Sequence, residues 1–294
     1  MRRVSLLFSS VLLSMNCSPA LAIEPDHEVG YEIADKMQVR YEFLARDCGE
    51  NSPAYECSGI VIHGESNDSE VEPWDPAEDG SMSFSYLRND LISPIYGSFD
   101  YGIILIPSKE IGDDTFTPQY LCAYSINGAT DFREDTGCGQ ISGPNPETLP
   151  CQKNGIFTAE QWVTAIQEVH FNYMMCGWDL QNQWAPKEES FYEMIQAGII
   201  YPEVKTPIEN NEIVIASWFD QSLASLPIEA IFYTDRNNKN KDSYSLMNAQ
   251  NLQQIYIKET NRWIPIIHLK EIDIDNSFEG AKKYSFSYIE SEQS

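Results

Sequence analysis

Apolar and small polar residues alternate in several short stretches of the chain, most clearly in MSFSYLR, residues 82–88. A period of two places the Met, Phe and Tyr residues of this stretch on one face, which we expect to face the core. By the same parity Arg88 also points toward the core, an unusual direction for a guanidinium. Either Arg88 projects into a cleft and binds a carboxylate or phosphate, or the strand ends at Leu87 and Arg88 pairs with a surface acid.

Other short apolar runs, each bounded by Gly, Pro, Asn or Asp, predict further strands. These runs cover residues 58–63, 101–107, 120–126, 213–219, 228–233, 263–269 and 284–289. Residues 64–80, between the predicted strand at 58–63 and MSFSYLR, are acidic and interrupted by prolines, which predicts a loop. Residues 128–155 are rich in Gly, Pro and Cys and predict an irregular segment held by disulfides.

Helical periods occur at four places. The first helix is capped by Asp26 and ends near Cys48, and its apolar stripe consists of Val29, Ile33, Met37, Tyr41 and Leu44. The second opens with the capping box Thr158 to Gln161 and buries Trp162. The third runs from about Glu188 to Ala197 and stops at Gly198, and the fourth covers about 246–256. Because strands and helices do not alternate strictly, we predict an α+β fold with a mixed, largely antiparallel sheet and three to four packed helices.

The first 22 residues are typical of a secretory signal peptide. Two arginines precede the apolar run 4–13, and Ala-Leu-Ala at 20–22 matches the pattern that signal peptidase cleaves. In an alternative interpretation, Cys17 carries a lipid anchor. No later segment has the length of a bilayer span, so we predict a secreted or periplasmic protein without stable membrane insertion. Because no shift in composition marks a boundary, residues 23–294 are predicted to form one domain.

The chain is strongly acidic, with 45 Asp and Glu residues against 19 Lys and Arg and a net charge of −26. Such a surface repels nucleic acid and anionic lipid. We therefore do not expect a polyanion as the partner, and any host or acceptor protein is left open.

Six of the cysteines lie after the predicted signal peptide: Cys48, Cys57, Cys122, Cys138, Cys151 and Cys176. An even number in an exported chain predicts disulfides. Cys48 and Cys57 enclose turn-forming residues, so a local bridge is expected there, and the other four should pair among themselves. Zinc is the alternative, but the chain has no Cys-x2-Cys and its histidines are scattered.

Standard hydrolase, phosphate-binding and metalloprotease motifs are missing from the chain. Besides Arg88, the candidate polar residues are Asp131 and Arg133 in ATDFRED, where an ordinary Asx turn is the alternative. A further candidate is Trp74 in WDPAEDG, whose ring could stack on a flat ligand; the neighbouring acids could hold calcium or simply be solvated. Trp162 and Trp184 are expected to pack in the core or against helices.

Five short sequence motifs, taken in their order along the chain, resemble the halovibrin family of secreted bacterial proteins. They are RDCGENSPAYECSG, a Trp-x-Pro and Gly followed by SFSYLR, ATDFREDTGCG, TAEQW and CGWD. The similarity covers roughly residues 30–270, nearly all of the predicted mature chain. The resemblance implies an exported enzyme that hydrolyses NAD to nicotinamide and ADP-ribose, with a link to ADP-ribosyl transfer and with NAD as substrate rather than as cofactor.

Folds that transfer ADP-ribose from NAD commonly combine an arginine, a serine-bearing strand and a glutamate. The resemblance therefore suggests Arg88 or Arg133 as the arginine and Ser83 and Ser85 as the serines, with Tyr86 and Trp74 binding substrate.

No Glu-x-Glu lies on a predicted strand, so the carboxylate is left between Asp131 and Glu193, ahead of Glu188 and Glu189. The cleaved bond passes through an oxocarbenium-like state, which a carboxylate stabilises. The rival interpretation is a non-catalytic, disulfide-rich binding protein, in which Arg88 and Arg133 bind acidic surfaces.

Overall fold

The computed structural model describes residues 23–66, 81–91, 99–110, 118–126, 130–132, 138, 140–141, 150–168, 176–204, 210–216, 226–235, 242–273 and 282–290. Within them the helices are α1 His27–Glu42, α2 Ala159–Glu168, α3 Lys187–Val204 and α4 Asp242–Thr260. The strands are β1 Ile60–Glu65, β2 Ser81–Leu87, β3 Tyr101–Leu105, β4 Tyr120–Tyr124, β5 Thr130–Phe132, β6 Gln140–Ile141, β7 Trp178–Asp179, β8 Glu212–Ala216, β9 Ile228–Thr234, β10 Ile266–Asp273 and β11 Lys282–Tyr288. The predicted signal peptide, residues 1–22, lies outside the described residues.

Nine of these strands form one mixed sheet in the order β11-β10-β9-β3-β1-β2-β8-β4-β7, and β5 pairs with β6 separately. Within the sheet, β9 and β10 run parallel and are connected by α4, while the other described pairs are antiparallel. Antiparallel neighbours allow short connections, whereas a parallel pair requires a longer crossover such as this helix. The predicted α+β fold with a largely antiparallel sheet is confirmed.

The sheet is buried on both faces. Neighbouring residues alternate between two cores, so that Ile103 lies in the core with α2, α3 and α4, and Ile104 in the core with α1. In β2, Phe84 and Tyr86 belong to the first core and Leu87 to the second. The predicted apolar face of this strand is therefore correct, but the opposite face is not open to solvent, because Ser85 is 1% exposed.

Helix α1 packs on the sheet with the middle of its predicted stripe, since Met37 and Tyr41 are buried in the core beneath it and Ile33 packs against that core. Asp26 caps the helix as predicted, its Oδ1 accepting a hydrogen bond from the Val29 amide at 3.1 Å. Val29 and Leu44 are nevertheless exposed, and the helix ends at Glu42 rather than near Cys48. The buried face contains Arg40, which donates to Glu229 of β9. This ion pair allows a charged residue to be buried against the sheet, which the spacing of apolar residues does not predict.

The predicted capping box of α2 is confirmed. Thr158 Oγ1 accepts from the Gln161 amide at 3.3 Å, and Gln161 Oε1 accepts from the Thr158 amide at 3.1 Å. The predicted end of α3 at Gly198 is wrong, since the helix continues to Val204. A Cβ at Gly198 would lie 3.0 Å from Leu91 Cδ2, so this glycine permits close packing instead of ending the helix.

Three disulfides join Cys48 to Cys57, Cys122 to Cys138, and Cys151 to Cys176. The predicted local bridge is confirmed, and the other four cysteines do pair among themselves. None of the helices in the described part of the chain is long and apolar enough to cross a bilayer.

Candidate functional site

Strand β2 brings one of its predicted serines to a buried carboxylate. Ser83 Oγ donates a hydrogen bond to Glu212 Oε1 at 2.5 Å. Glu212 is the first residue of β8 and is 3% exposed. The antiparallel register, in which Phe84 pairs with Ile213, places Glu212 on the same face of the sheet as the serines.

Two asparagines before β8 hold the neighbouring part of β2. The Asn211 side chain accepts from the Tyr86 amide and donates to the Tyr86 carbonyl, both at 2.7 Å, and so extends the ladder with a side chain. Asn210 Nδ2 donates to Ser85 Oγ at 2.9 Å. These contacts fix the register of Ser83 against Glu212, because a slip of one residue would move the serines to the other face.

The asparagine pair leaves one acceptor without a described partner. Asn210 Oδ1 is buried and finds no hydrogen-bond donor among the described residues. Buried polar atoms are normally satisfied, and an exception calls for an explanation such as strain, a catalytic role or a bound water or ion. The atom is joined through Asn210 Nδ2 to Ser85, so it lies close to the Ser83–Glu212 pair.

His63 approaches the same serine from the other face of the sheet. Its Nδ1 lies 2.5 Å from the Ser83 carbonyl oxygen, and its Nε2 lies 3.5 Å from Glu65 Oε1. The ring packs 5.3 Å from Phe84, which belongs to the core with α2, α3 and α4. Ser83 is therefore held on both sides, by an imidazole at its backbone and by a carboxylate at its hydroxyl.

Arg88 lies at the other end of β2 and has different partners. Its Nε and Nη2 donate to the two carboxylate oxygens of Asp90, each at 2.6 Å, and its Nη1 donates to the Ala45 carbonyl at 2.7 Å. Burial, the largest single cause, lowers the pKa of Arg88, but the interactions with Asp90 and Tyr86 together outweigh it and the net shift is upward. Arg88 and Ser83 thus share no partner in these contacts, and the fork of the guanidinium is occupied by Asp90.

The predicted carboxylate Glu193 is engaged elsewhere. It lies on α3, and its Oε2 accepts a hydrogen bond from the Ala159 amide at the start of α2, at 2.7 Å. An acceptor at this place satisfies one of the free amides at a helix N-terminus. The contact joins two helices and does not bring Glu193 to the serines of β2.

The remaining predicted residues fall into three cases. The Tyr86 side chain is fully buried, its hydroxyl donates to the Ser58 carbonyl at 2.8 Å, and burial raises its pKa to about 12. Asp131 lies in the short strand β5, where only the backbone is described. Arg133 and Trp74 lie outside the described residues.

Sequence reasoning missed Glu212. The residue directly precedes the apolar run Ile213–Ile215, so an acid at the start of a strand was the available signal. In the chain it is 129 residues from Ser83, and only the pairing of β2 with β8 brings the two together. The prediction for Trp184 is also wrong, since this side chain is 47% exposed instead of buried in the core.

Comparison with known proteins gives no further assignment: no family model matches this chain, and no curated protein matches it. In the described part of the chain, no group of three or more His, Cys, Asp or Glu residues is arranged to hold a metal ion. The side chains that meet around Ser83 carry hydroxyl, carboxylate, imidazole and amide groups.

Proposed function

We propose that this protein hydrolyses NAD to nicotinamide and ADP-ribose, with Glu212 as the carboxylate that stabilises the reacting ribose. The observation that carries the proposal is the hydrogen bond from Ser83 to the buried Glu212 carboxylate. It supplies a glutamate next to a serine-bearing strand, the combination that the halovibrin resemblance implies. ADP-ribosyl transfer would use the same site with another acceptor in place of water.

The chemistry requires a negative charge close to the ribose. When the bond between ribose and nicotinamide breaks, nicotinamide leaves with the bonding electrons and the ribose acquires oxocarbenium character. A fixed carboxylate in a water-poor setting stabilises that charge. Water then adds to the anomeric carbon and releases a proton. In this scheme Ser83 is a positioning residue, because its hydroxyl orients the Glu212 carboxylate.

The dinucleotide also needs a cation, because its pyrophosphate is anionic and the chain carries a net charge of −26. We assign this role to Arg133 rather than Arg88. Both edges of the Arg88 guanidinium are taken by Asp90 and by the Ala45 carbonyl. Arg133 is five residues before Cys138, which forms a disulfide with Cys122 of β4.

The proposal includes export through residues 1–22. Three disulfides are typical of proteins from oxidising compartments, and no described helix is suited to cross a bilayer. Both findings are compatible with an extracellular or periplasmic protein.

Release of nicotinamide from NAD by the purified protein tests the activity. Glu212→Gln keeps the size of the side chain and an acceptor for Ser83 but removes the charge. We expect the rate to fall about 10²-fold to 10³-fold, the usual cost of losing an electrostatic stabiliser. Glu271→Gln, which changes a half-buried glutamate on β10, serves as the matched control and should retain the rate.

Two outcomes contradict the proposal. If the wild-type protein releases no more nicotinamide than a mock purification, the chain is better explained as a binding protein. If the wild type is active and Glu212→Gln keeps its rate, the activity stands but the carboxylate lies elsewhere, with Asp131 as the next candidate.

A further inference from the structure

Strands β1 and β2 pair over only part of their lengths. The last described pair between them, on the side of Ser83, joins Ile62 to Ser85. Beyond it β1 continues beside β3 and β2 continues beside β8, so each strand keeps a neighbour on its other side. Ser83 is two residues from this last pair, on the part of β2 that has no described pair with β1.

The backbone carbonyl of Ser83 points toward β1. The Asn211 side chain contacts the backbone of Tyr86 from the β8 side. Backbone groups of successive strand residues point alternately to the two neighbouring strands, so those of Ser85 and Ser83 face β1. In a continued ladder, a backbone amide of β1 would donate to this carbonyl. Here a side chain of β1 makes the contact, because His63 Nδ1 lies 2.5 Å from the Ser83 oxygen.

The hydrogen of this contact belongs to the imidazole. A carbonyl oxygen only accepts, so His63 Nδ1 is the donor. The ring is fixed by two other neighbours: its Nε2 lies 3.5 Å from Glu65 Oε1, and its centroid lies 5.3 Å from that of Phe84. The His63 side chain is 14% exposed, so little water reaches it. A fixed donor therefore contacts Ser83 from the β1 side.

Ser83 connects this donor to the buried carboxylate. Its carbonyl accepts from His63, and its hydroxyl donates to Glu212 at 2.5 Å. A shift of the Ser83 backbone would move the hydroxyl and, with it, the hydrogen bond that orients the carboxylate. Displacing a catalytic group by about 1 Å can lower a rate by about 10²-fold. The position of Glu212 thus depends on contacts of β2 on both of its sides.

We propose that His63 is a positioning residue for Glu212 and acts through the backbone of Ser83. The inference rests on the proposed hydrolysis of NAD and adds to it a residue that packs on Phe84, on the other face of the sheet from the Ser83 hydroxyl. His63 does not contact the substrate in this scheme. Its loss should therefore lower kcat and leave KM close to the wild-type value.

Steady-state release of nicotinamide from NAD by two variants tests the inference. His63→Leu fills the site with an apolar side chain but has no donor, and we expect kcat to fall about tenfold while KM changes less than about twofold. His63→Asn places an amide donor near the position of Nδ1 and should keep most of the wild-type kcat. A role in packing alone would give the opposite order, because Leu suits an apolar neighbour such as Phe84 better than Asn does.

His268→Leu is the matched control. The His268 side chain is also 14% exposed and also lies beside a carboxylate, that of Asp235, but its ring stacks on Tyr233. It lies on β10, three strands away from β2 in the sheet order at β1, β3 and β9. The control should leave kcat and KM unchanged, and urea denaturation verifies that all three variants fold.

Amide hydrogen exchange gives a measurement that does not depend on the reaction. In His63→Leu the amides of Ser83 and Phe84 should exchange about fivefold faster than in the wild type, because a contact of this part of β2 is lost. In His268→Leu they should exchange at the wild-type rate.

The inference is overturned if His63→Leu keeps kcat, if the Leu and Asn variants lose kcat equally, or if exchange in β2 is unchanged. A rise in KM alone would also overturn it, in favour of a contact between His63 and the substrate. A wild type that releases no nicotinamide, but whose β2 amides exchange faster in His63→Leu, contradicts the proposed function and not the contact by which His63 fixes Ser83.

Discussion

Ser83 and Arg88 lie toward the two ends of one strand, and their polar surroundings differ in a simple way. Arg88 pairs with Asp90, two residues further along the chain. Ser83 pairs with Glu212, 129 residues away. The first contact is local in sequence, whereas the second forms only when β2 and β8 pair.

The two ends also differ in the groups that their charged side chains contact. At Arg88 two opposite charges face each other in a bidentate pair, supported by the Ala45 carbonyl. In the Ser83 contact the Glu212 carboxylate meets a neutral hydroxyl. The guanidinium of Arg88 is held by these contacts, whereas the proposal has the Glu212 carboxylate stabilise a positive charge that develops in the reaction.

The largest expected effect on stability is at the Arg88 end. Arg88→Ala should lower the free energy of unfolding by about 3 kcal/mol, because it breaks a pair in which the arginine is 3% exposed. We take the lower end of the usual range, since the Asp90 side chain keeps 23% of its surface in water. Urea denaturation measures the loss, and the rate per folded molecule of NAD hydrolysis should stay at the wild-type value.

A double-mutant cycle with Asp90→Asn separates the pair from its surroundings. If the two changes couple, the ion pair is the stabilising contact, and the double variant costs less than the sum of the single ones. If Arg88→Ala instead removes activity and leaves stability unchanged, Arg88 belongs to the substrate site and the comparison of the two ends fails.

The next effect concerns Tyr86, which lies between the two ends. Burial raises its pKa to about 12, against about 10 in an unfolded chain. Between pH 10 and 12 the folded chain therefore keeps the phenol proton that the unfolded chain loses. Titration of this group leaves the free energy of unfolding unchanged below pH 10 and lowers it by about 2 to 3 kcal/mol as the pH rises to 12.

Urea denaturation at several values between pH 8 and 12 measures the slope. Tyr41 and Tyr233 also have pKa values raised to about 12, by burial first of all, so the wild type should lose stability steeply in this range. Tyr86→Phe should flatten the slope by one tyrosine's share while lowering stability at neutral pH through loss of the bond to Ser58. An unchanged slope in this variant would show that Tyr86 does not titrate as proposed.

Local features of the fold were predictable from the sequence because local contacts decide them. The alternation in MSFSYLR gave the buried face of β2, the spacing of Thr158 and Gln161 gave the capping box, and turn residues gave the Cys48–Cys57 bridge. The partner of Arg88 was also within reach, since an acid follows two residues later. The alternative in which the strand ends at Leu87 and Arg88 pairs with a surface acid is close to the contact that forms, although Arg88 itself is buried.

The candidate site was less predictable, because it depends on contacts between distant segments. Neither periodicity nor spacing indicates that β8 lies beside β2, so Glu212 could not be matched to Ser83. Long-range packing also overrode the local signal at Gly198, where α3 continues against Leu91. Sequence patterns indicate which face of a helix or strand is buried and where the element ends. They do not indicate which elements are neighbours, because several topologies are compatible with the same patterns.

The smallest expected effects separate the two serines of β2, which share a face but not a role. Ser85 accepts from Asn210 at 2.9 Å and is buried, so Ser85→Ala should cost about 1 to 2 kcal/mol of stability and leave the rate of NAD hydrolysis unchanged. Ser83→Ala removes the hydroxyl that orients Glu212, and we expect a similar loss of stability together with a rate about tenfold lower. Urea denaturation and nicotinamide release on both variants measure the difference. If both serines change only stability, the Ser83–Glu212 pair holds strands together in the same sense as Arg88 and Asp90, and the two ends of β2 are alike.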